Sequence, residues 1–276
     1  MASATPEALL RAASARIDRS DAQQLLQHVL ECESVWLIAH GDEQIDSAAV
    51  AAFDDLVARR ARGEPVAYLT GRRGFWSLQL AVDPSVLIPR PETELLVELA
   101  LQRIAREMPA SIADVGTGSG AVALAIAHER PQSRVLAVDA SDTALAIAAR
   151  NAAALQINNI VFRHGDWLAP LAGERYMVIV SNPPYIATGD PHLLQGDLRF
   201  EPTLALIAGH DGLDAIRRIV AEAPQYLTPG GWLLLEHGWQ QAAAVRALLS
   251  DAGLVNCTTE RDLEQRDRVT AARMPS

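Results

Sequence analysis

The chain has 276 residues, room for one large domain or for a large domain with a small partner. Its 24 Lys and Arg against 34 Asp and Glu give a formal net charge of −10, which disfavours passive attraction to a nucleic-acid backbone or an anionic membrane. No uninterrupted apolar run reaches spanning length, and Cys32 and Cys257 lie far apart without metal-like spacing, so free thiols in a reducing compartment and no metal site are expected.

The first residues, rich in Ala, Ser and Arg, have a faint transit-peptide composition. Thr5-Pro6-Glu7 is nevertheless a good helix start, and Leu9, Leu10, Ala13 and Ile17 follow at helical spacing, so the segment is read as folded and the protein as cytoplasmic. Up to about Gly71 the pattern is helical throughout. Ser20 and Gln23 form a candidate capping box ahead of an apolar stripe over Ala22, Leu25, Leu26, Val29 and Leu30. Asp46 caps a helix bearing Val50, Phe53 and Val57, which Gly63 and Pro65 stop. Residues 1–73 are therefore expected to form a small helical bundle for docking a macromolecular partner.

Composition changes at Gly74-Phe75-Trp76. Leu78, Leu80 and Val82 alternate, Asp83-Pro84-Ser85 supplies a turn and Val86-Leu87-Ile88 returns, so a hairpin linker is expected over 74–88. Pro89-Arg90-Pro91-Glu92-Thr93-Glu94 then opens a helix, its carboxylates serving either the helix N-terminus or the edge of a site.

From Ser111 onward strand and helix alternate, which implies a parallel sheet and one domain over 89–276. Strand Ile112–Val115 runs into Gly116-Thr117-Gly118-Ser119-Gly120, whose glycines let a ligand approach the backbone at a helix start with unpaired N–H groups. A second strand ends at Asp139, placed to accept hydrogen bonds from ribose hydroxyls. Together these point to an adenosine-bearing cofactor. Gly116-x-Gly118-x-x-Ala121 also satisfies a dinucleotide fingerprint, which leaves a nicotinamide-dependent oxidoreductase as a rival. Against it stand Asp166 and Trp167, a carboxylate and an indole suited to an adenine ring and its amino group, and a motif for which hydride transfer has no evident use.

That motif is Ser181-Asn182-Pro183-Pro184-Tyr185, after the buried-strand run Met177–Val180. Two prolines forbid continuation of the strand and hold Asn182 extended, so a polar amide stands at the carboxyl end of a strand, where open α/β sheets bind ligands. An amide or aromatic amine has a delocalised lone pair and becomes nucleophilic only as its nitrogen turns tetrahedral. The Asn182 side-chain oxygen and the Pro183 carbonyl are the two acceptors that favour this geometry, and Tyr185 offers a flat face. Beyond lies an irregular segment through His192, Asp197, Arg199, Phe200 and Glu201, expected to rim the substrate; His192 and His210 are as readily solvent-exposed as catalytic. Pro229-Gly230-Gly231 is read as a turn into strand Trp232–Glu236, with short strands near 254–258 and 269–272 completing the sheet. Glu236 and His237 fall at a strand end without a sequence argument for chemistry.

The set Gly74-Phe75-Trp76, Ile88-Pro89-Arg90-Pro91-Glu92-Thr93-Glu94, Asp114-Val115-Gly116-Thr117-Gly118-Ser119-Gly120, Ser181-Asn182-Pro183-Pro184-Tyr185 and Arg199-Phe200-Glu201-Pro202 resembles the bacterial peptide chain release factor glutamine methyltransferases over nearly the full length. Asn-Pro-Pro-Tyr alone is shared with enzymes that methylate adenine, which leaves an adenine-N6 methyltransferase on DNA or RNA as the alternative; a silent binding module is a further one. The resemblance implies a Rossmann-like class I methyltransferase, with a mostly parallel seven-stranded sheet, that uses S-adenosyl-L-methionine. It implies transfer to N5 of the glutamine in the Gly-Gly-Gln loop of class I release factors; apart from the resemblance, a monomer is expected, and the acidic balance and lack of a spanning run argue against nucleic-acid and membrane partners. Gly116, Thr117, Gly118, Ser119 and Gly120 would then cradle the methionine end, with Asp139 at the ribose and Asp166 and Trp167 at the adenine. Asn182, Pro183, Pro184 and Tyr185 would hold the glutamine, Asn182 also bordering the cofactor and, with Pro183 and Tyr185, serving catalysis. Met177 departs from the acidic residue such enzymes commonly carry there.

Overall fold

The computed structural model describes residues 4–276; the first three positions of the expected helical domain lie outside them. The chain divides into two compact units, one running up to Arg72 and including Leu194–Phe200, the other holding Arg73–Leu193 and Glu201–Ser276.

The first unit is built on α1 (Pro6–Ala13), α2 (Arg19–Leu30), α3 (Ser34–Ala39), α4 (Ser47–Ala61) and α5 (Val66–Thr70). Thr5 caps α1 by accepting from the Ala8 N–H, and Asp46 caps α4 by accepting from Ala48 and Ala49. The candidate capping box at Ser20 and Gln23 is corrected: α2 begins at Arg19, two residues before the start that a Ser20 cap would give, with Asp18 at the cap position and no side-chain cap. Leu25, Leu26, Phe53 and Val57 close the core of this unit. Against it lies the excursion Leu194–Phe200, where Arg60 bridges Asp21 (2.7 Å) and Asp197 (3.1 Å). Gly63, at φ +98°, lies so close to the Arg199 guanidinium that a Cβ would sit 2.2 Å from Nη2, so a side chain there would displace the excursion.

The second unit opens with a two-stranded sheet of β1 (Arg72–Phe75) and β2 (Leu78–Ala81). A hairpin is present, but its turn is at Trp76-Ser77 and not at Asp83-Pro84-Ser85, which corrects the expected pairing. Trp76 takes the left-handed conformation (φ 56°), held by its backbone N–H on Glu94 Oε1 (2.8 Å) and its indole N–H on Glu129 Oε1 (2.9 Å). Val86 and Ile88 are buried without forming a strand, and the Ile88 N–H goes to the Glu201 carboxylate (3.3 Å), which also takes Arg90 (2.6 Å).

A 3-10 turn (Pro91–Thr93) leads into α6 (Glu94–Arg103), then β3 (Ser111–Val115), α7 (Ala121–Glu129), β4 (Arg134–Asp139), α8 (Asp142–Ala154), β5 (Ile160–His164), β6 (Tyr176–Ser181), α9 (Asp214–Glu222), β7 (Leu227–Glu236), α10 (Ala242–Asp251), β8 (Val255–Arg261) and β9 (Asp267–Arg273). The seven-stranded sheet has order β5-β4-β3-β6-β7-β9-β8, with β9 antiparallel to both neighbours and the other pairings parallel. Successive strand residues point to opposite faces: Val135 and Ala137 join the core under α6 and α7, while Leu136 and Val138 join the core under α9 and α10. Pro229-Gly230-Gly231 is not a turn but the irregular first part of β7. A Cβ on Gly231 would stand 3.0 Å from the Met177 carbonyl, which explains the glycine and the register shift between Tyr176 and Val178.

Asn151, buried on α8, ties this frame together. Its Oδ1 accepts from the Ala81 N–H (2.7 Å), and its Nδ2 donates to the carbonyls of Ala81 (3.0 Å) and Ser119 (2.9 Å). Replacing Asn151 by Ala leaves these buried groups unpaired and is expected to cost about 3 kcal/mol, read as a lower urea midpoint at unchanged slope.

Candidate active site

The strand order reverses between β3 and β6, and a doubly wound sheet binds ligands in the crevice beyond such a point. Asp114 pairs with Val180 in the parallel register, so the glycine loop after Val115 and the motif after Ser181 leave the sheet side by side. The Ser181 hydroxyl donates to the Val115 carbonyl (2.5 Å) and fixes the two strand ends to each other.

On the β3 side, Asp114 is a carboxyl inside an otherwise apolar strand. Burial pushes its pKa up to about 7, against the Thr117 hydroxyl (2.7 Å) and the Ala123 N–H (3.2 Å), which favour the ionised form. It orders the loop from beneath. Gly116, Gly118 and Gly120 all have positive φ, and Gly118 has open space where a Cβ would be. The Gly118 N–H donates to Asp139 Oδ2 (2.8 Å) and the Ser141 N–H to Oδ1 (2.9 Å). Asp139 is thereby aimed along the loop, each oxygen keeping a lone pair for a further donor. The Trp167 ring reaches within 3.6 Å of the position of a Cβ on Gly116, so indole and loop share one wall. Asp166 pairs with Arg218 of α9 (2.6 Å), both half exposed.

On the β6 side the Asn182 Nδ2 donates to Thr93 Oγ1 (3.1 Å). Among the described residues neither Asn182 Oδ1 nor the Pro183 carbonyl accepts a hydrogen bond, which leaves two acceptors at one sheet edge. Pro183 is buried and Pro184 half-buried. The Tyr185 hydroxyl donates to Glu236 Oε1 (3.3 Å), and burial raises its pKa well above the usual phenol range. From the other side Gln241 Nε2 donates to the carbonyls of Tyr185 (3.0 Å), Asp211 (3.2 Å) and Gly212 (3.3 Å), with Oε1 accepting from the Gly238 N–H (2.8 Å). A Cβ on Gly212 would lie 2.2 Å from the Tyr185 carbonyl, so this clamp needs glycine.

Three contributors escaped sequence reasoning: Thr93, Gln241 and Glu236. Only Glu236 left a signal, an acid at the end of the apolar run Leu233–Leu235. Its neighbour His237 is structural. Burial lowers its pKa, and with Nδ1 on the Gly238 carbonyl (2.9 Å) its Nε2 accepts from Thr270 (2.7 Å). His192 is exposed and paired with Asp190 (2.7 Å), and His210 is exposed.

This arrangement can hold an adenosine-bearing ligand along the β3 and β4 edges and a planar NH2 group at β6. Residues 4–71 match the family model described as PrmC N-terminal domain, and residues 92–195 the one described as methyltransferase small domain. A release factor glutamine methyltransferase of Xylella fastidiosa (strain 9a5c) is 61% identical over 271 residues, 98% of each chain. The protein of that name from Escherichia coli (strain K12) is 47% identical over 267 residues, 97% of this chain and 96% of its own. Among solved structures, the T. thermophilus 16S rRNA N2 G1207 methyltransferase in complex with AdoMet and guanosine has a TM-score of 0.53. It is 20% identical and covers 74% of this chain and 49% of its own, a likeness of fold. Both halves of the chain thus find their counterparts in one set of proteins, and the chain belongs to the release factor glutamine methyltransferase family.

Proposed function

We propose that the chain transfers a methyl group from S-adenosyl-L-methionine to N5 of the glutamine in the Gly-Gly-Gln loop of class I peptide chain release factors. The observation that carries this reading is the pair of unengaged acceptors, Asn182 Oδ1 and the Pro183 carbonyl, at the sheet edge beside the glycine loop. A glutamine side chain has the complementary group, an NH2 with two donors.

The donor supplies an electrophilic methyl on a positively charged sulfur. Gly116 to Gly120 give its amino-acid end a close approach to the backbone, the N–H groups of Gly116, Thr117, Gly118 and Gly120 being taken by the oxygens of Val138, Asp139 and Thr117. Asp139, held by Gly118 and Ser141, accepts from its ribose hydroxyls, and Trp167 lies by the adenine. Asp166 borders the same end in this reading while paired with Arg218. Asn182 and Pro183 take the two N–H groups of the glutamine, turn its nitrogen toward tetrahedral geometry and aim the lone pair; Pro184 and Tyr185 flank the planar amide. The N–C bond forms as the C–S bond breaks, and the nitrogen, acidic once it bears the methyl, releases one proton to water. No strong base is required. Holding both reactants in attack geometry contributes on the order of 7 to 11 kcal/mol.

The 61% identity to a protein named for this activity supports the substrate, and the net charge of −10 argues against the adenine-methylating alternative. In this reading the chain works as a monomer in the cytoplasm, on a protein partner alone. No helix among the described residues is long and apolar enough to cross a membrane. Residues 1–73 dock the release factor, 74–88 link, and 89–276 carry the chemistry.

Co-incubation with a class I release factor is expected to add one methyl, mapped by mass spectrometry to the loop glutamine, and none to DNA. Asn182→Ala is expected to lower turnover about 100-fold with donor affinity little changed; single-turnover kinetics read the first and calorimetric titration the second. Asp139→Ala is expected to do the reverse, weakening donor binding about 10-fold or more by removing a charged acceptor.

A further inference from the structure

Two segments that stand out in the sequence, Pro89-Arg90-Pro91-Glu92-Thr93-Glu94 and Arg199-Phe200-Glu201-Pro202, have no part in the methyl transfer as described. They meet at one buried carboxylate. Prolines at 89 and 91 deprive the first segment of two backbone N–H groups, so no sheet ladder can hold it. Side chains hold it instead. Glu201, whose side chain is 0% exposed, accepts the Ile88 N–H at Oε1 (3.3 Å) and Arg90 Nη2 at Oε2 (2.6 Å). Arg73 Nε adds a bond to the Pro89 carbonyl (3.1 Å).

What this anchorage fixes is Thr93. The Arg90 carbonyl accepts the Thr93 N–H (3.1 Å) and opens the 3-10 turn in which Thr93, itself buried, is the last residue. The Thr93 hydroxyl oxygen accepts in turn from Asn182 Nδ2 (3.1 Å), the end of that amide opposite to the oxygen assigned to the glutamine. Glu201 is tied to the far side of the motif as well. Ile186, next after Tyr185, donates its N–H to the Leu206 carbonyl (2.9 Å), and its own carbonyl accepts the Ala208 N–H (3.0 Å), which closes the loop that contains Glu201. A single carboxylate therefore joins the segment that holds Asn182 to the loop that follows Tyr185.

We propose that Glu201 and Arg90 are positioning residues of the acceptor site: their ion pair sets the place of Thr93, Thr93 holds Asn182 by its NH2, and Asn182 Oδ1 is thereby kept where it meets the glutamine. Neither is a catalytic residue. Their effect on turnover is carried through Thr93 and Asn182. Because a misplacement of about 1 Å is enough to spoil attack geometry, a slack anchor costs turnover while the glycine loop and Asp139 on the β3 side keep their own bonds. This inference rests on the glutamine methyltransferase reading and deepens it.

Replacing one partner alone would strand a charge, so Arg90→Gln and Glu201→Gln are introduced together, which removes both charges at once. The double variant is expected to lower kcat for release factor methylation about 10- to 100-fold, with the dissociation constant of S-adenosyl-L-methionine unchanged by calorimetric titration. The decisive measurement repeats the replacement in an Asn182→Ala background, where residues acting through Asn182 have nothing left to position. There kcat is expected to stay within about 2-fold of Asn182→Ala itself. Thr93→Val keeps the shape at the intervening position and disturbs no charge, so it tests the same path should the double variant not fold; its loss is likewise expected to vanish in the Asn182→Ala background. Wild-type kcat in the double variant or in Thr93→Val, or an equal fold-loss in both backgrounds, would overturn the inference while leaving the parent reading intact. A wild-type enzyme that leaves the release factor glutamine unmethylated removes the parent reading and this inference with it.

Discussion

The parallel pairing of β3 with β6 is the constraint from which the site follows. Once Asp114 stands opposite Val180 and the Ser181 hydroxyl bonds the Val115 carbonyl, a glycine-rich turn and a proline-terminated strand must emerge at the same edge. Neither could do its part alone. The loop offers room beside its backbone, the motif offers oxygens, and the sheet brings the two to neighbouring positions without either having to fold against the other.

Much of this was legible because the residues concerned are constrained by local covalent chemistry. Pro183 and Pro184 state where β6 ends, whatever surrounds them, and the glycines after Val115 state where a side chain cannot be. The alternation of strand and helix gave the parallel sheet for the same reason, since period 2 and period 3.6 are properties of the backbone. What could not be read is long-range. Thr93 lies 89 positions from Asn182, and nothing near Thr93 says which strand end it will meet. The hairpin was misread because alternation at Leu78, Leu80 and Val82 and the turn-forming Asp83-Pro84-Ser85 outweighed Trp76, a bulky residue whose left-handed backbone is held by carboxylates 18 and 53 positions away. The irregular start of β7 hid for a similar reason: Pro-Gly-Gly is turn chemistry, and only the Met177 carbonyl across the sheet converts it into a bulge.

Two buried acids, Asp114 and Glu236, stand beneath the two halves of the crevice, each with its pKa raised to about 7 by burial. Neither faces solvent, and each takes a hydroxyl proton, Asp114 from Thr117 and Glu236 from Tyr185. Keeping an ionisable group in such a place is unfavourable for stability. Its benefit is directional: a carboxylate accepts and cannot donate, so every hydroxyl and amide chained to it has its orientation decided. Order in the site comes from these fixed proton positions as much as from packing.

The excursion Leu194–Phe200 makes the helical unit discontinuous in sequence, closed by Arg60 on Asp197 and by Gly63 under Arg199. A single cut at Arg72 therefore does not yield two whole modules. A fragment beginning at Arg73 carries seven residues whose own fold has been left behind, and a helical fragment ending there lacks a strip of its wall. Any chimera that exchanges the helical module between relatives has to transplant both pieces as one.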